Sequence, residues 1–408
     1  MKIILAYKVE INPNNKQKTA LLRHAGAARW AFNFGLRRKI ESYETTGKFL
    51  SAMDLHKELV SLKKKSVEDG GVPWMYKVSK CAPQEALRNL DRAFDNFFRR
   101  CKQGAKRKGF PKFKSRKQSI GNFTLRGKIY VGSYHIQLPR LGIIKIKEKD
   151  YLPINGIKIL GVTVSEKSSK WFVSLQVEQD KVVGKISDHI IGVDVGIKSL
   201  AVTSDGEVFE NPKALKQSEN RIRLLQKSVS RKKKRSNNRK KASQKLSRQH
   251  YRVSCIRKDA IHKATTAIAK QASVIVIESL NVAGMMKNHK LARAVSDSSM
   301  AEFLRQITYK VGWKGGKIIK ADKFFPSSKT CSKCGFIKSD LTLSDRTFEC
   351  SICGYSIDRD LNAAINLKQL AVSSTVTACR PESSGLLRQT KLLVGQESDI
   401  GFTAGRFE

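Results

Sequence analysis

Ile190-Ile191-Gly192-Val193-Asp194-Val195-Gly196 is a β-branched run that carries an acid between two glycines. A short apolar run bounded by such breakers reads as a buried strand, with Asp194 within it or at its end. Ser199–Thr203 and Glu207–Glu210 follow as two more strands, with the turn Asp205-Gly206 between them. A long basic helical stretch runs from about 213 to 270. The strand Ser273–Ile277 then closes on Glu278, a helix covers about 299–312, and Lys317–Lys320 is another strand. A final helix begins near Asp360 in Asp358-Arg359-Asp360-Leu361-Asn362-Ala363-Ala364.

Three strands, a helix, a strand ending in an acid and a helix starting with an acid form the layout of an RNase H-like core. Alone, Asp194 reads as a turn or cap residue, and Asp360 as a helix N-terminal acid favoured by the dipole. Glu278 says more, because an ionised acid abutting a buried strand needs a partner. Together and in this order, the three are expected to converge on one sheet edge, the clustering that carboxylates need to bind two Mg²⁺ or Mn²⁺ ions roughly 3.5–4 Å apart, hard cations suited to carboxylate oxygen.

Cys331-x2-Cys334 and Cys350-x2-Cys353 are separated by fifteen residues. This spacing predicts a four-thiolate structural Zn²⁺ ribbon over about 327–357, with no ligand position left for water. Gly335 and Gly354 supply the knuckle turns. A disulfide pair or a redox dithiol fits two matched knuckles less well. Cys81, Cys101, Cys255 and Cys379 are isolated and read as small hydrophobes.

The chain has 408 residues, with 79 Lys and Arg against 35 Asp and Glu, a formal charge of +44. Such an excess repels itself unless a polyanion neutralises it, so DNA or RNA is the expected partner. The basic residues recur along most of the chain, which argues against a membrane-surface helix. No apolar run suffices to span a bilayer and the N-terminus has no long apolar region, so a cytoplasmic location is expected.

Upstream, 2–11 reads as a strand, 16–44 and about 50–63 as helices, and Pro83–Cys101 as a helix with Leu87, Leu90, Phe94, Phe97 and Phe98 on a core-facing side. Gly109–Lys117 is basic and aromatic, and suits tracking a phosphate backbone through Lys112, Lys114 and Arg116 as well as it suits a solvated linker. From 120 to 180 the period becomes two, in short strands at 128–131, 134–138, 143–147, 161–164 and 171–177. These predict a small β-barrel that strand 2–11 closes. Arg231–Lys241 has no apolar residue, and Arg231, Lys232, Lys233 and Arg239 are nucleic-acid contact candidates. Residues 371–408 read as a mostly disordered tail.

The chain resembles the TnpB family, insertion-sequence proteins long labelled transposases and related to type V CRISPR effector nucleases. The resemblance rests on Gly192–Lys198, Ile277-Glu278, Phe325–Gly335, Cys350–Gly354 and Asp358–Ala364. Looser matches are Gly26–Asn33, Gly109–Lys114 and Leu138–Gly142. It implies a multidomain α+β protein: a wedge β-barrel (1–12 and 116–182), a helical recognition lobe (13–115), a RuvC-like nuclease core (183–370) and the zinc-ribbon insert. It implies an RNA-guided DNA endonuclease acting as a monomeric ribonucleoprotein. The guide RNA would come from the transposon end and the target would be double-stranded DNA. Asp194, Glu278 and Asp360 fall on the family's catalytic acids. A short DNA motif beside the target would be read by protein, with Lys80 and Gln84, four apart at a helix start, as candidates. A non-cleaving transposition accessory factor or repressor is the alternative, and a strand-transfer transposase a third reading.

Overall fold

The computed structural model describes residues 2–116, 120–153, 157–180, 189–342 and 344–378. It is a mixed α/β protein of two compact units, one formed by Met1–Val182 with Arg221–Tyr251, the other by Val183–Asn220 with Arg252–Glu408.

The first unit opens with β1 (Lys2–Asn12), followed by the helices α1 (Asn15–Thr46), α2 (Ala52–Lys64) and α3 (Cys81–Lys102). Asn14 and Gln17 cap α1 reciprocally, as Ser51 and Asp54 cap α2, which satisfies backbone N–H groups that a helix start leaves unpaired. Gly35 lets α1 approach α3: a Cβ there would lie 2.8 Å from a Leu87 methyl. Leu21, Leu36, Leu55, Leu87 and Leu90 are fully buried where these helices meet, each stabilising by about 1.5–3 kcal/mol. Phe94 is also buried, but Phe98 remains 40% exposed on the side expected to face the core; its ring meets Phe49, Phe94 and Phe97.

Six more strands follow: β2 (Asn122–Leu125), β3 (Tyr130–Val131), β4 (His135–Leu138), β5 (Gly142–Ile146), β6 (Lys158–Lys167) and β7 (Lys170–Asp180). They join β1 in one antiparallel sheet of order β2-β6-β7-β1-β5-β4-β3. The N-terminal strand thus lies at its centre, paired with β7 over ten positions. Val9, Val162, Val164, Val173, Leu175 and Val177 form the buried face.

The second unit begins with β8 (Ile190–Asp194), β9 (Ser199–Thr203) and β10 (Val208–Glu210). Two long helices follow, α4 (Ala214–Ser230) and α5 (Asn237–Gln271), and the unit boundaries fall within them. Next come β11 (Val274–Ile277), α6 (Val282–Met285), α7 (Ala292–Ser298), α8 (Met300–Trp313), β12 (Lys317–Lys320), the cysteine hairpin β13 (Thr347–Glu349) and β14 (Ser356–Asp358), and α9 (Arg359–Ala378). Five strands form a sheet of order β10-β9-β8-β11-β12, with β8, β11 and β12 parallel and β9 and β10 antiparallel. Ile191, Val193, Ile275 and Ile277 join α5 and α8 residues in one buried cluster, while Val276 meets Leu367 and Ala371 of α9 in another. Helix α9 continues through Ala378, past the start of the expected tail; 379–408, with Cys379, lie outside the described residues.

Candidate functional site

The parallel register of β8 and β11 runs from Ile190↔Val274 to Val193↔Ile277. Continued by one step, it sets Glu278 beside Asp194. The third acid arrives through a close contact on the same strand. Gly192 lies under α9, where a Cβ would sit 2.0 Å from the Ala364 carbonyl oxygen and 2.6 Å from the Lys368 nitrogen. Asp194 is two residues beyond this contact and Asp360 one helical turn before Ala364. These steps are about equal in length, roughly 6–7 Å.

The ligand atoms of the three acids do not all lie within 4.8 Å of one another, but Asp194 feels the charge of both others. Burial first, then the negative charges of Glu278 and Asp360, push the Asp194 carboxyl up to about 8. Arg359 and the Val195 backbone oppose this only in part. The Ser327 hydroxyl donates to Glu278 Oε1. Asp360 lies 3.5 Å from an Arg359 nitrogen, and Asp358 Oδ1 accepts from the backbone N–H groups of Asp360 and Leu361, capping α9. Two cavities adjoin the acids. One of about 720 Å³ is lined by Glu278, Arg305, Tyr309, Lys320 and Lys323. The other, about 560 Å³, is lined by Asp360, Lys198 and Lys213.

Among the described residues, the four cysteines are the one group of three or more His, Cys, Asp or Glu whose ligand atoms all lie within 4.8 Å of each other. Sγ–Sγ distances of 3.7 Å (Cys331–Cys353) and 3.5 Å (Cys334–Cys350) are close to the edge of a tetrahedron, which for a Zn–S bond of about 2.3 Å is about 3.8 Å. Gly335 and Gly354 adopt positive φ and return their N–H groups to the Cys331 and Cys350 carbonyls. Backbone N–H groups of Cys353 and Ile352 point at Cys350 and lower its pKa, toward the thiolate a metal requires. The hairpin's buried cluster consists of Cys331, Leu341, Phe348 and Cys350, so a bound ion would replace a missing core.

Three amides on α9 fasten the first knuckle. Asn362 accepts from the Ser332 N–H and donates to the Thr330 carbonyl, Asn366 donates to the carbonyls of Ser327 and Thr330, and Gln369 to that of Ser332. Ser327 therefore ties the cysteine module to Glu278. Ser327 and these amides were not singled out in the sequence; their spacing on one helix face (362, 366, 369) was the available signal.

The basic candidates divide. Lys80, Lys112, Arg116, Arg231 and Lys233 are exposed, while Gln84 and Lys232 are partly buried. Lys114 is exposed as well, but its ammonium lies 3.7 Å from the Phe32 ring centre, where partial desolvation lowers its pKa, and its backbone pairs with Asn33. Arg239 donates to the carbonyls of Val229 and Lys232, closing the turn between α4 and α5.

Fold and site define a basic α/β protein with coupled carboxylates and a four-cysteine module. A family described as "Probable transposase" matches residues 172–289, a "Cas12f1-like, TNB domain" matches 301–367, and a "Helix-turn-helix domain" of the same transposase group matches 1–48. The described part of that last segment is one strand and one continuous helix. "Putative RNA-guided DNA endonuclease InsQ" of Escherichia coli is 33% identical over 396 residues, 93% of this chain and 94% of its own length. A relative from Streptomyces pristinaespiralis with the same name, without InsQ, is 34% identical over 92% of this chain and 90% of its own. The solved mini-RNA-guided endonuclease CRISPR-Cas_phi3 aligns with a TM-score of 0.49 at 10% identity, over 91% of this chain and 92% of that one. The chain belongs to the OrfB family of IS605-type transposases, the TnpB-like proteins. No helix among the described residues is long and apolar enough to cross a membrane.

Proposed function

We propose that the protein is an RNA-guided DNA endonuclease of a transposable element, cutting by metal-dependent hydrolysis at Asp194, Glu278 and Asp360. One observation supports this reading most: the register of β8 with β11 and the passage of α9 over Gly192 direct Asp194, Glu278 and Asp360 toward one end of the sheet. Three mutually repelling carboxylates, with Arg359 as partial compensation, suit a site that gains a divalent pair.

The RNase H-like core of 183–370, with the zinc ribbon at 327–357, corresponds in this reading to the second unit together with Arg221–Tyr251, which group with the first. The seven-stranded sheet serves as the wedge barrel (1–12 and 116–182), and α1 to α3 as the recognition lobe (13–115). Asp194, Glu278 and Asp360 would hold two Mg²⁺ or Mn²⁺ ions, which supply activation of water and stabilisation of the leaving 3′ oxygen. Ser327 orients Glu278, Gly192 and the α9 cap position Asp360, and the lysines and arginine of the flanking cavities hold the phosphodiester strand. Guide pairing supplies sequence specificity, and the protein supplies charge and reads the short motif, with Lys80 and Gln84 in reach of bases. The working form is a monomer with RNA from the transposon end.

The test is purified protein with RNA from its own locus and duplex DNA carrying a matching target beside a randomised flank. RNA- and Mg²⁺-dependent cuts that vanish in Asp194→Ala are expected. Binding without cuts identifies an accessory factor or repressor, and strand joining a transposase.

A further inference from the structure

In the first unit, α1 and the turn Pro73–Lys77 line a cavity of about 520 Å³ that the endonuclease reading does not use. Its walls include Arg23, Gly26, Arg29, Trp30, Trp74 and Lys77, and none of its lining residues is acidic. Phe34 stacks behind Trp30 at 5.2 Å and 10°, while Trp74 meets Trp30 edge-on at 6.3 Å and 88°. The two indoles make a floor and a wall, and Trp74 stays 39% exposed. An exposed indole beside three cations is unlike core packing and resembles a stacking platform in an electropositive groove.

Gly26 supplies an independent observation. Glycine within a helix weakens it, so its presence there invites a reason. At Gly35 the reason is contact with α3, but a Cβ at Gly26 would meet only an Arg29 nitrogen, 3.9 Å away. Packing within the chain does not require a glycine at 26, and its lack of a side chain leaves this part of the cavity wall clear.

We propose that this cavity binds one unpaired nucleotide of a nucleic-acid strand, its base in the Trp30–Trp74 corner and its phosphate among Arg23, Arg29 and Lys77. The volume lies within the range that holds a small ligand. Cations on several sides favour a nucleotide over an apolar side chain. The inference goes beyond the endonuclease reading and needs no cleavage.

The experiment uses the full chain without divalent metal, in salt high enough to suppress general phosphate binding. The probes are RNA and DNA hexamers with one central 2-aminopurine, whose fluorescence reports stacking. Wild type and Trp74→Phe should bind and change the fluorescence. Trp74→Leu should bind about tenfold or more weakly and lose the change. Gly26→Leu fills the cavity with a better helix former, so its Tm should equal or exceed that of wild type while binding falls as for Trp74→Leu. The tighter hexamer identifies whether RNA or DNA supplies the nucleotide. Folded Gly26→Leu with unchanged affinity and unchanged fluorescence response overturns the proposal. So does a wild-type complex with no stacking signal on either hexamer. Loss of nuclease activity in the cleavage assay leaves this result unaffected, so the two readings fail separately.

Discussion

Replacing Gly192 with alanine probes how the acids are brought together. The new Cβ would lie 2.0 Å from the Ala364 carbonyl oxygen and 2.6 Å from the Lys368 nitrogen, both backbone atoms of α9. Ordinary contact begins near 3.4 Å, so α9 or β8 must retreat by about 1.4 Å. Neither neighbour is a flexible side chain, and α9 is also held through Leu367 and Ala371 against Val276. Overpacking of this kind costs about 1–3 kcal/mol. The same retreat separates Asp360 from Asp194, and a displacement near 1 Å in a reacting geometry costs about 100-fold in rate. Thermal unfolding and single-turnover cleavage at saturating guide RNA measure the two effects. Gly312→Ala is the control, since its Cβ meets nothing within 4 Å. Wild-type Tm with cleavage within twofold of wild type would refute the argument that this glycine positions the acids. Lost stability with unchanged cleavage would leave it a packing role alone.

Ser327→Ala removes the hydroxyl that donates to Glu278. A hydrogen bond to a charged group contributes about 1.5–3 kcal/mol, so the cleavage rate should fall by about tenfold or more, with zinc content unchanged by elemental analysis. Cys350→Ser should reduce zinc from one per chain to none and lower Tm, because the hairpin has little core beyond Leu341 and Phe348; retained zinc would show that the other three cysteines suffice. The Asp194 pKa is raised when folded, from 3.8 to about 8. Its contribution to metal-free stability is therefore complete below about pH 4 and is lost as pH rises through about 8. Between pH 6.5 and 8.5, above the ordinary histidine range, wild-type Tm should fall relative to Asp194→Asn; parallel curves would contradict the assignment. Mg²⁺ binding at pH 7 should release protons, detectable in a weakly buffered titration, and fewer from Asp194→Asn.

The strands around Asp194 and Glu278 were legible because they are apolar, short and bounded by breakers. The helix at Asp360 was legible from its acidic start, and the cysteine module from spacing alone. Strand β2 was not, since Asn122–Leu125 is too short to show a period. The order of the central sheet was equally hidden, because a strand at the start of the chain gives no sign that it will pair with β7 across more than 150 positions. Arg239 and Lys114 are expected as phosphate contacts, and the structure adds that one closes a helix end and the other lies over a ring. Charge counts cannot reveal such local bonds. Ser327 and Gly192 belong to quoted motifs, but their roles depend on which backbone lies above them, and only the packed helix shows that.

The three amides of α9 grip only the first knuckle, at Ser327, Thr330 and Ser332. The far limb of the hairpin, from Phe336 to Glu349, is held instead at Thr342 and Arg346, whose carbonyls accept from Arg359, and by the buried Leu341 and Phe348. Lineages should therefore redecorate the exposed residues of that limb while Leu341, Phe348, Asn362 and Asn366 resist change. An engineer seeking a place to attach a small label near the acids, without unseating them, would choose an exposed residue such as Asp340.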